Sequence, residues 1–329
     1  MSGDLGAEVV VRAAYASLQK YKNIELVLVG DKDELHDFVT RIIGGGSRAD
    51  QRLRIVNATE VVEMADAPAD SIRKKKDSSM RVAIDLVSSG EAQACVSAGN
   101  TGALMATAKF VLKMLPGIDR PAIIAELPSM GGSVHMLDLG ANTVCTAEHL
   151  FQFAVMGSIV TADITDIEEP RIALLNIGAE DSKGHDTVKE AASMLAASTL
   201  NYIGFIEGSE IFSGKADVVV TDGFTGNVAL KTMEGTVGLM SYYLRREFER
   251  GWFAKAAALI AHPVLRRFGQ DADSRNYNGA TLVGLNGIVI KSHGGADAYS
   301  FQHAIDTAIV EVRKQVPQQI GSLLQQEAA

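Results

Sequence analysis

Cysteine and proline are scarce in this chain of 329 residues, which has two of the first and seven of the second. The two thiols, Cys95 and Cys145, form no Cys-x-x-Cys pair and no zinc spacing, so neither a disulfide scaffold nor a thiolate metal site is expected. They read as buried, reduced thiols of a cytosolic protein. A cysteine nucleophile stays open, although no flanking residue argues for it. With no Pro-rich hinge and no low-complexity linker, no domain boundary is visible. Aromatic residues make up only 6% of the chain. No basic segment followed by an apolar one marks a signal peptide. Nor does any stretch approach the roughly 18 apolar residues of a spanning helix. The formal net charge of −9 argues against nucleic acid as a partner and favours solubility.

Several catalytic signatures are also missing. There is no Gly-x-x-x-x-Gly-Lys-Ser/Thr phosphate loop, no Gly-x-Ser-x-Gly elbow and no His-Glu-x-x-His metal helix. None of the seven histidines has an aspartate five positions later, so the His-Asp pair typical of glycerolipid acyltransferases is absent. Gly44-Gly45-Gly46 matches half of a dinucleotide fingerprint but follows a helical pattern, and reads as a helix C-cap loop. No metal or cofactor is implied.

What the chain has is glycine, alanine and valine in alternating patterns. With 47% hydrophobic residues it can bury a large core. Strands are predicted near 25–29, 53–57, 94–97, 122–126, 136–139, 171–176, 203–207, 217–221 and 287–292. Helices are predicted near 8–20, 33–43, 80–89, 103–114, 145–156, 186–197, 228–250 and 300–315. The alternation predicts an α/β fold with a mostly parallel sheet wrapped by helices.

Four polar, glycine-rich loops follow predicted strands: 97–102 (SAGNTG), 138–142 (DLGAN), 176–184 (NIGAEDSKG) and 222–227 (DGFTGN). Such turns are where open α/β sheets place ligands, and four of them suggest one site for a phosphate-bearing or carbonyl substrate. Each has a plainer explanation. Asn100 or Thr101 can cap the next helix instead of serving a ligand, with Ser97, Gly99 and Gly102 shaping an anion cradle in the second case. Asp138 reads as a loop organiser and Asn142 as a ligand contact. Lys183 is either solvated or a point charge for phosphate. Asn227 can cap the helix that follows. Lys231 opposes that helix's dipole and makes more sense with an anion nearby.

Two further segments stand apart. Arg73, Lys74 and Lys75 open a basic run that is either a solvated helix start or a dock for an acidic partner. Residues 239–268 are basic and hold the only tryptophan, with Leu244, Phe248, Trp252 and Leu259 near one helical face. Gly251 and Pro263 would divide this segment into short helices. It reads as a membrane-surface or partner helix pair, or else as a dimer arm or core helix.

Taken together, RKKKDSSM (73–80), SAGNTGALM (97–105), LDLGAN (137–142), EHLFQFAVMG (148–157), LLNIG (174–178), DVVVTDGFTGNVAL (217–230) and LNGIVIKSHG (285–294) resemble the phosphate acyltransferase family of bacterial phospholipid synthesis (PlsX-type, acyl-carrier-protein:phosphate acyltransferase). The resemblance runs nearly the whole chain. It implies one domain over 1–329, a three-layer α/β/α sandwich like phosphotransacetylases and isocitrate dehydrogenase, with a helical amphipathic protrusion at about 236–272. It implies a homodimer and transfer of an acyl group from acyl carrier protein to inorganic phosphate. The acyl phosphate would go to a membrane glycerol-3-phosphate acyltransferase, which implies a cytoplasmic enzyme attached peripherally to the inner face of the cell membrane. Carrier protein is acidic, which suits Arg73, Lys74 and Lys75.

The family begins with a short strand ending in Asp-Ala-Met-Gly-Gly-Asp. Here the chain starts at Met1, inside that motif, with Ser2 in place of a glycine, so Gly3 and Asp4 are expected at the site and the start is expected to lie upstream. The expected roles are Lys183 and the 99–102 backbone for phosphate, Asn100 or Asn227 for the oxyanion, Asp222 and Asp138 for the loops, and His293 for the carrier or leaving thiol. A coenzyme A-dependent phosphotransacetylase and a non-catalytic acyl or carrier-protein binding module remain the alternatives.

Overall fold

In the computed structural model, which describes residues 3–44, 50–271 and 274–327, strands and helices alternate along most of the chain. The first half runs α1 (Gly6–Lys20), β1 (Leu26–Gly30), α2 (Lys32–Ile42), β2 (Leu53–Asn57), α3 (Pro68–Lys74), α4 (Ser79–Ser88), β3 (Ala94–Ser97), α5 (Thr101–Leu112), β4 (Ala122–Ser129), β5 (Gly132–Leu137) and α6 (Ala147–Thr165). The second runs β6 (Ile172–Leu175), α7 (Asp186–Ala196), β7 (Tyr202–Ile206), β8 (Val218–Val220), α8 (Gly223–Glu249), α9 (Trp252–Asp271), β9 (Ala280–Val283), β10 (Ile288–Lys291), α10 (Ala298–Lys314) and α11 (Val316–Glu327).

Eight strands form one sheet in the order β3-β10-β9-β4-β5-β8-β6-β7. β5, β8, β6 and β7 are mutually parallel, and so are β3 and β10. Antiparallel pairs through β9 and β4 join the two groups. β1 and β2 pair in parallel as a separate two-stranded sheet. Helices cover both faces of the large sheet, so its central strands are apolar throughout. Val218 and Val220 of β8 enter one buried cluster with Phe153 and Met156, while Val219 enters the other with Leu104 and Met136. This is the period-2 alternation of a strand buried on both sides.

Several elements differ from the sequence expectation. α6 continues nine residues beyond the expected end at 156. A Cβ on Gly157 would stand 2.8 Å from Val218 Cγ1, so this glycine is a contact with the sheet and not a stop signal. β9 was not expected; Gly279, at φ +125°, brings the chain into it with Ala304 Cα 2.9 Å from where a Cβ would lie. Neither α3 nor α11 was expected. Arg73 and Lys74 occupy the last turn of α3, not a helix start, where cations suit the carbonyl end of the dipole. Gly44 does follow the C-cap of α2, at φ +73°, whereas Gly45 and Gly46 lie outside the described residues. Met1 and Ser2 lie outside them too. Gly3 borders a cavity of about 990 Å³ between β1 and β3.

Candidate functional site

The turn from β8 into α8 is built on close approach. Asp222 caps the helix, its Oδ1 accepting the Phe224 and Thr225 N–H groups at 3.0 Å each and its Oδ2 the Thr225 hydroxyl at 2.7 Å. The helix thus starts at Gly223, five residues before the expected 228, and Asn227 lies one turn inside it and not at its cap. A Cβ on Gly226 would fall 1.9 Å from the Asp138 carbonyl oxygen, and one on Gly223 would fall 2.6 Å from the Asn142 carbonyl oxygen. Only glycine lets the first turn of α8 rest on the 138–142 loop.

That loop is held from within. Asp138 is fully buried; its carboxylate accepts the N–H groups of Ile123 and Ala141 at 3.0 Å and of Asn142 at 2.7 Å, and the Asn142 amide at 2.9 Å. Burial pushes its carboxyl above the usual range, against the pull of these bonds. The second hydrogen of the Asn142 amide goes to Pro121 O at 2.8 Å. Asn142, expected to meet a ligand, therefore spends both amide hydrogens on the loop. Asn227 is different. It is exposed, lies against Gly140, and its side chain makes no hydrogen bond among the described residues.

A second group gathers at the ends of β3 and β10. Ser292 N–H donates to Ser97 O at 2.9 Å, fastening one turn to the other, and Ser97 Oγ accepts Gly99 N–H at 3.2 Å. Asp4 N–H donates to Gly294 O at 2.9 Å, and a Cβ on Gly3 would touch Ala98 Cβ at 3.2 Å, so Gly3 and Asp4 belong here. His293 is exposed; its Nδ1 accepts Gly295 N–H at 3.1 Å. Asn100 caps α5 through Ala103 N–H at 3.0 Å. Its Nδ2 donates to Met64 O at 2.8 Å and Asp66 O at 3.2 Å, so this amide ties down a neighbouring loop. Thr101 opens α5, and Gly102 lets Pro68 of α3 pack 3.1 Å from where its Cβ would be. α8 joins the two groups. Lys231, four residues after Asn227 and so on the same helix face, acts electrostatically on Lys291 at the end of β10.

The 176–184 loop closes on Asn176, whose Nδ2 donates to Lys183 O at 3.2 Å. Gly184, at φ +88°, has Asn176 Oδ1 2.1 Å from where a Cβ would lie, so no side chain fits there. Lys183 is exposed, with its stem against Gly178. Asn176, Ile177 and His185 line the same cavity as Asp222 and Thr225. That cavity, about 1330 Å³, has mainly apolar walls that include Leu127, Leu174, Phe212, Val228, Met233 and Val237. No sequence pattern marks it, because its walls come from strands and helices far apart in the chain. Cys145 also lines it. Burial, with the nearby Asp138 carboxylate, pushes its thiol up to about 11, too high for a thiolate nucleophile at neutral pH. Burial alone pushes the Cys95 thiol up to about 12.

Of the basic run, Arg73 and Lys74 are on the surface, Lys74 pairing with Asp70 at 3.1 Å. Lys75 departs from the docking role expected of it. Its Nζ turns inward to the Asp66 carboxylate at 2.5 Å and Val61 O at 2.6 Å, and it braces the 61–66 segment. The basic, aromatic segment forms the second half of α8 and all of α9, parted at Gly251. Pro263 lies inside α9, where a break was expected. Its missing N–H removes one helix bond without ending the helix. Leu244, Trp252 and Leu259 are exposed there, by 40%, 71% and 78%, while Phe248 is half-buried. Residue 272, the expected limit of the protrusion, lies outside the described residues. Among the described residues no helix is long and apolar enough to cross a membrane.

Comparison with known proteins gives the family and the fold. A family described as "Fatty acid synthesis protein" matches residues 1–319. A phosphate acyltransferase of Alkalilimnicola ehrlichii is 56% identical over 325 residues, which is 99% of this chain and 94% of the relative. One of Methylococcus capsulatus is 56% identical over 323 residues, 98% of this chain and 94% of the relative. Among solved structures, a phosphotransacetylase from Streptococcus pyogenes shares the fold with a TM-score of 0.61 and 22% identity, covering 94% of this chain and 92% of its own. Another from Staphylococcus aureus gives 0.59 and 18%, covering 93% and 91%.

Proposed function

Because the chain belongs to the fatty acid synthesis protein family and is a phosphate acyltransferase, we propose that its acyl donor is a long-chain thioester of acyl carrier protein. The observation that carries this reading is the apolar cavity of about 1330 Å³ that starts beside Asp222 and Thr225 and follows α8 to Val237. An acetyl group needs no such space. A fatty chain buried there would contribute about 0.8 kcal/mol per methylene, with its carbonyl left among the polar turns.

In this reading a phosphate oxygen attacks the thioester carbonyl. The new C–O bond forms, the C–S bond breaks, and the carrier's sulfur leaves as thiolate and takes a proton from solvent. The products are acyl phosphate and free carrier. No covalent enzyme intermediate is needed, since phosphate is itself the nucleophile. Positioning supplies much of the rate, and donors to the developing oxyanion supply more. Asn227 is the oxyanion donor, because its amide has no partner among the described residues whereas that of Asn100 is spent on backbone carbonyls. Lys183 and the 99–102 backbone receive phosphate. Asp222 and Asp138 hold the turns, and His293 meets the carrier arm.

Arg73 and Lys74 offer the acidic carrier protein a basic surface. The exposed Leu244, Trp252 and Leu259, with Phe248, suit a membrane surface, where a membrane glycerol-3-phosphate acyltransferase would consume the acyl phosphate. The reading includes one working domain with the hairpin as its protrusion. It also includes a homodimer, supported by apolar residues exposed along α8 such as Leu239 and Met240.

The test is phosphate-dependent loss of acyl carrier protein thioester, with acyl phosphate trapped by hydroxylamine, run beside acetyl-coenzyme A. Turnover of the long-chain carrier substrate is expected. Asn227→Ala should lower kcat about 100-fold and Lys183→Ala should slow turnover, both with cooperative unfolding intact. Preference for acetyl-coenzyme A would make the protein a phosphotransacetylase. No turnover of either would leave a carrier-binding module.

A further inference from the structure

Lys291 closes β10, and the chemistry above does not use it. Its backbone stands in register with Ser97 of β3 on one side and Ala280 of β9 on the other, so its side chain springs from inside the sheet. It is half-buried, and its Nζ donates to the Ser292 carbonyl. An ammonium carries three donors, so two remain for whatever enters between the turns. The turns themselves are fixed. Asn278 Nδ2 donates to Ser292 Oγ and Ser300 O at 2.8 Å each, and Asn278 Oδ1 accepts His293 N–H at 2.9 Å. The Asp4 carboxylate rests on Gly294, with Oδ2 3.0 Å from where a Cβ would lie.

The charges here are paired unevenly: among the described residues no carboxylate forms a salt bridge with Lys291, whereas Lys231 has one. Lys291 feels one carboxylate, Asp4, and one further cation, Lys231, whose own Glu234 partner is at 2.8 Å. Burial pushes the Lys291 ammonium down to about 8, Asp4 opposing that and Lys231 adding to it. It is therefore still a cation at neutral pH, partly stripped of water and facing a like charge. Such an arrangement is costly until an anion comes between the two.

We propose that Lys291 and Lys231 together bind the inorganic phosphate co-substrate, with Lys291 as the floor of the site and Lys231 as its wall on α8. The proposal rests on the acyltransfer reading and deepens it, since Lys291 lies beside the 97–102 turn already assigned to phosphate. The phosphodiester of a carrier's prosthetic arm has similar chemistry. A cation set between locked glycine turns suits the small free oxoanion better than a diester extended at both ends.

Two measurements on the full chain test this. Inorganic phosphate alone should raise Tm above that in chloride of equal ionic strength, and Lys291→Met should abolish the rise. In turnover, Lys291→Met should raise KM for phosphate at least tenfold and leave KM for the acyl donor within twofold. Lys291→Arg should keep most of the phosphate-induced rise. If Lys291→Met does not fold, Lys231→Met, at an exposed helix position, should raise KM for phosphate in the same selective way. An unchanged phosphate KM in a folded Lys291→Met protein would overturn the proposal. So would a rise confined to KM for the acyl donor, or an unaltered phosphate response in Lys231→Met where that variant must stand in. Should phosphate raise the wild-type Tm in a Lys291-dependent way while no thioester is turned over, the acyltransfer reading fails and the anion site stands.

Discussion

At the scale of single residues, two positions carry testable energetics. Gly226 sits where a methyl group would overlap the Asp138 carbonyl oxygen at 1.9 Å. Gly226→Ala should cost about 3 kcal/mol or more in a urea titration, because backbone and not a flexible side chain must move. Gly238, on the same helix with nothing within 4 Å, is the control; Gly238→Ala should stabilise by about 0.5–1 kcal/mol. Glu311 is the second. It is 1% exposed on α10 and accepts the Thr281 hydroxyl, and burial pushes its carboxyl up to about 7 from an ordinary 4.5. Below about pH 4.5 it is protonated folded or unfolded and costs nothing. Between 4.5 and 7 the folded state holds the proton more tightly, so this group's contribution falls as pH rises, by about 3 kcal/mol at most. Glu311→Gln should flatten that fall, giving its largest gain over wild type at pH 8 and almost none at pH 4.5. Residues also show where sequence stops being informative. Asn100, Asn142 and Asn227 look alike in sequence, each in a glycine-rich turn. What separates them is whether a distant carbonyl, Met64 O or Pro121 O, happens to take the amide.

At the scale of elements, periodicity read well for several strands of the sheets but missed the twelve-residue α11. The strands 53–57 and 94–97 lie where alternation places them, and the glycine turns after β3, β5, β6 and β8 follow strands as expected. Glycine misled in two ways. Gly157 resembles a helix stop but serves as the thin point where α6 meets β8, and Gly223 and Gly226 resemble a loop but lie within α8. β9, four residues long and joined to both neighbours by antiparallel pairs, carries no helix-then-strand signal that could reveal it. The cavity beside α8 was equally hidden, since Leu127 and Met233 meet only after folding.

At the scale of the whole molecule, the parallel halves of the sheet contribute separate sets of polar turns, and α8 connects them. The same helix then runs on into the exposed hairpin with α9. Replacing Trp252 and Leu259 by serine should lower co-sedimentation with anionic phospholipid vesicles while turnover without vesicles is retained. Equal sedimentation would remove the hairpin from membrane attachment. The continuity of α8 has an angular consequence. An unbroken helix turns about 100° per residue and spans roughly 40 Å over its 27 residues. The direction in which Asn227 and Lys231 point therefore fixes the direction in which Leu244 points, as two marks on one rod. A lipid surface touched by the hairpin would then set the compass bearing of the reaction cleft, so that product is released toward one side of the molecule on every turnover.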